Sequence, residues 1–270
     1  MDYRKNSRGK QDYRDFHDKN NTEIESSENV VFGRNAVTEA LKSGREIEKI
    51  FIRGNEAEGS ILLIIALAKE SGIPIVNVAK EKLDLLASGE AHQGVCALVS
   101  PVQYYSVDEI LSYSAEKGED PFIVIVDGVE DPHNLGAVIR SAECCGAHGL
   151  IVAKRRSSPV TATVVKSSAG AVEHLRICKV TNIAATIEDL KKKGIWVYGA
   201  EADGSCIYDT DLTGPAAFVV GSEGNGISRI VREKCDFIVS VPMYGKINSF
   251  NVSCASAIVF SEAARQRHKK

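Results

Sequence analysis

The sequence lacks the usual features of a membrane or secreted protein. Its longest apolar run, ILLIIALA at 61–68, is too short to span a bilayer, and its first residues are polar and charged, unlike a signal peptide. Its seven cysteines are odd in number and show no CxxC spacing, which argues against a disulfide framework and a structural zinc site. We therefore expect a cytoplasmic protein with reduced thiols, no membrane association and no bound metal.

An excess of positive charge is also missing. The 33 Lys and Arg residues against 36 Asp and Glu give a net charge of -3, so the chain has no overall basic field for nucleic acid. Any RNA contact must come from local clusters, and a solvated face or tail explains each cluster equally well. The candidates are Arg34, Lys154, Arg155, Arg156, Arg265, Arg267, Lys269 and Lys270.

The composition is otherwise that of a folded globular protein. Hydrophobic residues make up 44% and charged residues 26% of the chain, which excludes fibrous and wholly disordered classes. A length of 270 residues allows one large domain or two smaller ones. Residues 1–28 have few large apolar side chains, so we predict a disordered tail there.

The rest of the chain alternates between helical and strand-like patterns. Residues 29–100 predict a small α/β domain, and residues 101–120 predict a linker that carries a short amphipathic helix. From 121 to 270, apolar runs such as PFIVIVD at 121–127 and GLIVA at 149–153 alternate with helical stretches. This pattern predicts an α/β fold with a parallel sheet covered on both faces.

Three polar loops follow predicted strands, where open α/β sheets bind their ligands. In the first, VDGVEDPHNLGAVIRSA at 126–142, the helix is predicted to begin at Asn134 or Leu135. Arg140 follows Asn134 by six residues, or about 600° of rotation, so the two side chains converge only if Asn134 belongs to the loop or cap. In the alternative interpretation, Asn134 serves only as the N-cap of the helix and Arg140 is a solvent-exposed helical residue without a role in a site.

The second loop, VVGSEGNGIS at 219–228, is rich in glycine but has neither the order of a phosphate loop nor the position of a dinucleotide fingerprint. The third, within 239–267, carries Gly245, Ser249 and Asn251 before a long helix. Asn251 suits a helix cap, but Ser249, Asn251 and Ser253 together are more polar residues than a cap requires.

Together the loops resemble the signature motifs of the SpoU/TrmH family of RNA ribose 2'-O-methyltransferases, within the SPOUT superfamily. The first loop fits D-x-x-x-D-P-x-N-x-G-x-x-x-R-[ST]-A, the second G-x-E-x-x-G-[IL], and the third [IV]-P-M-x-G-x-x-x-S-x-N-V-S-x-A. The resemblance covers 122–267, and the N-terminal part resembles the L30e-like domain of the RlmB-type subgroup, which methylates a guanosine in the peptidyl-transferase region of 23S rRNA. Phe250 and Val241 depart from the usual Leu and Ile but remain apolar.

The resemblance implies a trefoil-knotted catalytic domain, a homodimer, and S-adenosylmethionine (SAM) as the cofactor. It also implies that the cofactor-binding residues are Gly221, Val241, Met243, Gly245 and Phe250, and that the catalytic residues are Asn134, Arg140, Glu223, Ser249 and Asn251. We expect Arg140 to bind a phosphate and polarise the ribose hydroxyl, since an arginine remains protonated and is a poor base.

Two alternatives remain open at this point. One is a tRNA ribose 2'-O-methyltransferase, although those relatives generally lack the appended domain at 29–100. The other is a non-catalytic RNA-binding factor of ribosome assembly, which would not need the whole set of polar residues in the three motifs.

Overall fold

The computed structural model describes residues 29–54 and 58–268, so the tail predicted at 1–28 lies outside the described residues. The N-terminal part is a four-stranded sheet with strand order β1-β4-β2-β3, in which β4 is antiparallel to both β1 and β2. Its elements are β1 (Val30–Phe32), α1 (Arg34–Lys42), β2 (Ile47–Arg53), α2 (Ser60–Glu70), β3 (Ile75–Val78), α3 (Lys80–Leu86) and β4 (Val95–Val99).

The C-terminal part is a six-stranded parallel sheet with strand order β10-β8-β9-β5-β6-β7. It follows α4 (Val107–Glu116), which lies inside the predicted linker. The remaining elements are β5 (Phe122–Val126), α5 (Pro132–Cys144), β6 (Gly149–Ala153), α6 (Ala162–Ser167), β7 (Arg176–Val180), α7 (Ile183–Lys192), β8 (Trp196–Cys206), β9 (Ala216–Val220), α8 (Arg229–Arg232), β10 (Phe237–Ser240) and α9 (Val252–Arg267).

Helices cover both faces of this sheet, as the apolar strands predict. All five residues of β5 are buried: Phe122, Val124 and Val126 belong to one core, and Ile123 and Ile125 to a second. Side chains of α5 and α9 pack in the first core, and those of α4 and α7 pack in the second. None of the helices in the described part of the chain is long and apolar enough to span a bilayer.

The strand order reverses between β5 and β9, because β6 and β7 lie on one side of β5 whereas β9, β8 and β10 lie on the other. Such a switch point opens a crevice at the carboxyl ends of the strands. Here the backbone N–H of Asp127 donates to the carbonyl of Val220 at 2.9 Å, which holds the ends of β5 and β9 together. The loops that carry the first two motifs therefore start side by side.

The two parts of the chain are joined by one buried ion pair and by a more exposed contact. Arg45 Nη1 lies 2.6 Å from Glu173 Oε1, and both side chains are less than a tenth exposed. The same arginine donates through Nε to the carbonyl of Ser100 at 2.9 Å. Glu39 and His174 add a second contact at 3.0 Å. These contacts thus hold the N-terminal part against the segment between α6 and β7.

The seven cysteines are all unpaired, as expected for reduced thiols. Burial raises the pKa of the Cys96 and Cys235 thiols to about 12. Both side chains therefore behave as small apolar groups and not as nucleophiles.

Candidate active site

Two cavities of about 630 Å³ each lie at the carboxyl end of the parallel sheet. The first cavity is lined by 200–202, 220–226, 248–252, Val239, Val241, Met243, Ala255 and Val259. The second cavity is lined by 127–131, Asn134, Ala153, Arg155, Arg156, 181–184, Ser222, Glu223, Asn225, Gly226, Ser228, Ile230 and Val231. Both volumes are typical of sites for small molecules and cofactors.

Three of the predicted catalytic side chains meet where the cavities adjoin. Asn134 Nδ2 donates to Glu223 Oε1 at 2.8 Å, and Asn251 Nδ2 lies 3.2 Å from Asn134 Oδ1 and also contacts Glu223 Oε1. Glu223 lines both cavities, whereas Asn251 lines the first and Asn134 the second. We call these three residues the amide–carboxylate cluster. It places a carboxylate, held by two amides, between the two cavities.

Asp131 sets the position of Asn134. Its Oδ1 accepts hydrogen bonds from the backbone N–H groups of His133 and Asn134 at 2.7 and 2.9 Å, which caps α5, and Pro132 is the first helical residue. The expected start at Asn134 or Leu135 is therefore wrong, and so is the assignment of Asn134 as the cap. The capping side chain is the aspartate three residues earlier, which leaves the Asn134 amide available to Glu223.

This helix start separates Asn134 from Arg140. Both residues lie within α5, and six residues correspond to about 600° of rotation, so their side chains point to different sides of the helix. Arg140 is exposed, lines neither cavity, and makes no hydrogen bond or ion pair with any residue in the described ranges. A single chain thus does not bring Arg140 to the amide–carboxylate cluster.

Asn251 has both of the roles that the sequence suggested. Its Oδ1 accepts from the backbone N–H of Ser253 at 2.9 Å and so caps α9, while its Nδ2 reaches the amide–carboxylate cluster. Capping fixes the side chain at the helix start, which orients the amide nitrogen toward Glu223. Ser249 lines the first cavity beside it.

The glycines of the loop after β9 are required by the fold of the loop itself. A Cβ on Gly221 would lie 2.1 Å from the carbonyl carbon of Gly226, because Ser222 and Gly226 exchange backbone hydrogen bonds at 3.0 Å in a tight turn. Gly226 has φ +63°, and a Cβ there would lie 2.5 Å from Glu201 Oε1. Only residues without a side chain allow this turn to close over the first cavity.

Glu201 is a residue that sequence reasoning missed. Its Oε1 accepts from the backbone N–H of Ile227 at 2.5 Å and so supports the loop after β9. The apolar pattern predicts a strand that ends at residue 200, but β8 continues to Cys206, and its pairing with β10 shifts register between Ile238 and Val239. The polar sequence EADGSC at 201–206 carries no signal for this extension.

Four of the five predicted cofactor residues line the first cavity, namely Gly221, Val241, Met243 and Phe250. Gly245 does not, and a Cβ there would have no atom within 4 Å. Ala255 and Val259 of α9 extend the apolar wall. The first cavity therefore offers an apolar slot for a planar ring, next to backbone groups of a glycine-rich loop and two carboxylates, those of Glu201 and Glu223.

Two of the basic residues near the C-terminus, Arg265 and Arg267, are engaged by other groups of the protein. Arg267 turns inward, donates to the carbonyls of Gly214 and Asp120, and lies 5.4 Å from the ring centre of Phe122; burial lowers its pKa. Arg265 is paired with Glu262 at 2.7 Å. Arg267 is therefore structural, the exposed Arg265 forms an ion pair within α9, and the predicted contacts at Lys269 and Lys270 lie outside the described residues.

Comparison with known proteins fits this geometry. The profile of the SpoU rRNA Methylase family matches residues 121–261, and that of the RNA 2'-O ribose methyltransferase substrate-binding domain matches residues 30–105. YacO of Bacillus subtilis (strain 168), assigned to the TrmH family of tRNA/rRNA methyltransferases, is 44% identical over 239 residues, covering 88% of this chain and 96% of YacO.

Two solved structures show where the likeness extends. AviRb from Streptomyces viridochromogenes, a SpoU methyltransferase crystallised with the cofactor AdoMet, has a TM-score of 0.73 and 28% identity, covering 88% of this chain and 89% of its own. The A. aeolicus TrmH/SpoU tRNA modifying enzyme has a TM-score of 0.50 and 28% identity but covers only 55% of this chain and 76% of its own.

The fold and the site define an SAM-dependent RNA 2'-O-methyltransferase. More narrowly, the chain belongs to the SpoU rRNA Methylase family. The predicted fold class, an α/β SPOUT domain with a smaller N-terminal α/β domain, is thereby confirmed, and so is the predicted cofactor. The first cavity fits this cofactor, because its apolar wall suits the adenine and its loop glycines leave backbone groups accessible.

Proposed function

We propose that this chain methylates the ribose 2'-hydroxyl of a guanosine in 23S rRNA. The observation that carries the proposal is the amide–carboxylate cluster, which stands between a cavity that fits SAM and a second cavity of equal volume. Two adjacent cavities that share one carboxylate suit a reaction between a cofactor and a nucleotide.

The choice of rRNA over tRNA is supported by the extent of the likeness. Residues 30–105 match a substrate-binding domain, and AviRb resembles this chain over both parts. The A. aeolicus tRNA modifying enzyme resembles only about half of it. The N-terminal domain, which is held against the catalytic domain by side-chain contacts, gives the enzyme an additional surface with which to recognise a large folded RNA.

The chain's own residues account for the acceptor side of the reaction. SAM supplies an electrophilic methyl group and a neutral leaving group. Glu223 Oε1 is already engaged by the amides of Asn134 and Asn251, which leaves Oε2 as the carboxylate oxygen that can accept the hydroxyl proton. In this proposal Ser249 orients the ribose, and the apolar side chains of Val241, Met243 and Phe250 hold the cofactor.

The position of Arg140 leads us to a homodimer. Arg140 is exposed on α5, and the loop before α9 exposes three large apolar side chains, with Tyr244 97%, Ile247 75% and Phe250 45% accessible. A second copy of the chain would cover such side chains. In our proposal Arg140 of one copy acts on the phosphate beside the target ribose in the active site of the other.

The proposal is tested by mapping ribose methylation on total RNA from cells that lack the protein. We expect one site to disappear from 23S rRNA and to return with the wild-type gene but not with Glu223→Gln. Loss of a tRNA site instead would overturn the choice of rRNA, and loss at a residue other than guanosine would overturn the choice of base. An unchanged map would contradict the proposed activity.

A further inference from the structure

The second cavity contains groups that methyl transfer does not use. It meets the first cavity along the segment 222–226 and extends to the loops that follow β5, β6 and β7. A nucleotide whose ribose lies at the amide–carboxylate cluster would have this space beside it for its base. The cavity volume of about 630 Å³ lies within the range of sites that bind small molecules.

The lining of the second cavity combines apolar walls with charge. Val129, Ile183 and Val231 are buried or nearly so and contribute apolar surface. Arg155 and Arg156, which follow β6, are exposed, and neither makes a hydrogen bond or ion pair with a residue in the described part of the chain. Enzymes that act on an unstacked nucleotide hold its base between apolar side chains and read its edge through hydrogen bonds.

Asp127 is the carboxylate in this lining that is best placed to read such an edge. It is half-buried directly after β5, and its Oδ2 accepts from the backbone N–H of Ser228 at 2.8 Å. No other group within 29–54 and 58–268 hydrogen-bonds to this side chain. A carboxylate has about four acceptor positions, so most of the acceptor capacity of Asp127 is unused.

The other carboxylates of the second cavity are less suitable. Asp131 uses its Oδ1 to cap α5, and Glu223 uses its Oε1 to hold the amides of Asn134 and Asn251. Glu130 is exposed, so water competes for its hydrogen bonds. Asp127 is thus a partly desolvated acceptor with spare capacity in the wall of this cavity.

We propose that the second cavity binds the base of the target nucleotide and that Asp127 selects guanine. Guanine is the only RNA base whose Watson–Crick edge presents two adjacent N–H donors, at N1 and at the 2-amino group. Adenine, cytosine and uracil present an acceptor next to each donor, and a carboxylate repels that acceptor. The inference rests on the proposed methylation of a guanosine and adds the residue that recognises the base.

The test compares two RNA substrates. A 23S rRNA fragment that contains the mapped site is synthesised with either guanosine or inosine at the target position; inosine keeps N1–H but lacks the 2-amino group. We expect the wild-type protein to have a kcat/KM at least about 10-fold lower on inosine, as loss of a hydrogen bond to a charged group predicts. Initial rates of methyl transfer from radiolabelled SAM give this ratio.

Asp127→Asn makes the test specific to the carboxylate. Its amide oxygen can still accept from Ser228, but its NH₂ group would face the donors of guanine. We expect kcat/KM on guanosine to fall at least about 10-fold and the guanosine-to-inosine ratio to approach one. Asp189→Asn is the matched control, because Asp189 lies on the exposed side of α7 and, within the described residues, its carboxylate pairs with Lys192 alone; it should keep the wild-type ratio.

Several outcomes would overturn the inference. Equal wild-type rates on guanosine and inosine would do so without any variant, as would an Asp127→Asn protein that binds SAM normally and keeps its preference for guanosine. Loss of the preference in Glu130→Gln but not in Asp127→Asn would show that a different carboxylate reads the base. Absence of methyl transfer to either RNA by the wild-type protein would instead overturn the proposed function, and the inference with it.

Discussion

Asn134 and Glu223 are 89 residues apart in the chain, yet the amide of the first donates to the carboxylate of the second at 2.8 Å. The contact joins the first turn of α5, which follows β5, to the loop after β9, and β5 and β9 are the two strands on either side of the switch point. Within the described residues, neither side chain forms a hydrogen bond inside its own helix or turn. Both side chains are therefore available at the site between the cavities.

Removal of the Asn134 amide should reduce catalysis without weakening cofactor binding. Asn134 lines only the second cavity, so Asn134→Ala leaves the lining of the first cavity unchanged. We expect kcat to fall by about 10²-fold, because the amide no longer positions the carboxylate that accepts the hydroxyl proton. Calorimetric titration with SAM should give a Kd close to that of the wild type.

The control for this variant is Asn77→Ala, on the exposed edge strand β3, which should keep both values. A parallel loss of SAM affinity and turnover in Asn134→Ala would contradict the separation of the two cavities.

Mixed dimers should show whether Arg140 acts across a subunit interface. Arg140→Ala and Glu223→Gln should each be inactive alone. If Arg140 serves the other copy, a mixed dimer has one site with both residues intact, so equal mixing and random exchange should restore about one quarter of wild-type activity. If Arg140 acts within its own chain, no mixed dimer has an intact site and activity stays absent, which would refute the proposed arrangement.

Gly221→Ala should disrupt the first cavity far more than Gly245→Ala. The added methyl group at residue 221 meets the backbone of Gly226 at 2.1 Å, whereas at residue 245 it meets nothing within 4 Å. We expect Gly221→Ala to lose about 1–3 kcal/mol or more of unfolding free energy, and SAM affinity with it.

Gly245→Ala should change the unfolding free energy by less than about 1 kcal/mol. Urea unfolding and SAM titration of both variants check the pair. A large loss of SAM affinity in Gly245→Ala alone would restore the cofactor role that the motif assigns to this residue.

Acid should destabilise the protein partly through His148. Burial is the main cause that lowers the pKa of this histidine, while Glu119 at 3.0 Å opposes the shift. As the pH falls below about 6.5, His148 therefore becomes protonated in the unfolded chain before it does so in the folded chain. The stability that the neutral, buried His148 contributes is complete above about pH 6.5 and is lost as the pH falls through the lower pKa of the folded state.

The measurement is urea unfolding at pH 7 and pH 5. In the wild type, Nδ1 of His148 accepts from the backbone N–H of Phe122 at 3.0 Å, and the side-chain oxygen of His148→Asn can replace that acceptor. The unfolding free energy of this variant should depend less on pH than that of the wild type. His268→Asn, at an exposed position with no ion pair to the described residues, should retain the wild-type dependence. Identical pH dependence in all three proteins would contradict the role of His148.

Helices and strands with a clear apolar pattern are predictable from the sequence. The buried face of α1 contains Ala36, Val37, Ala40 and Leu41, as its periodicity indicates, and Gly44 follows the helix with φ +75°. The strands of the parallel sheet are predictable for the same reason, since each contains a short and nearly continuous apolar run, although β8 continues beyond its run to Cys206.

Features that depend on polar contacts between distant segments were not predictable. The predicted start of α5 is wrong because Asp131 and Asn134 are both residue types that can cap a helix, and only the fold shows which one does. The sequence makes Arg267 only a candidate RNA contact or a solvated residue, because a basic residue near a chain end is usually solvated. The carbonyls of Asp120 and Gly214 that bind it are more than 50 residues away in sequence.

The buried pair between Arg45 and Glu173 helps to set the orientation of the N-terminal domain, together with the contacts of Glu39 with His174 and of Glu90 with Thr163. Breaking a buried pair by removing one partner costs about 3–5 kcal/mol, and Arg45 also holds the carbonyl of Ser100, where the connecting segment begins. The orientation is thus specified by side chains at the contact and is independent of the length of the connection. Residues could be inserted between Ser100 and α4 without changing the angle at which the two domains present themselves to an RNA.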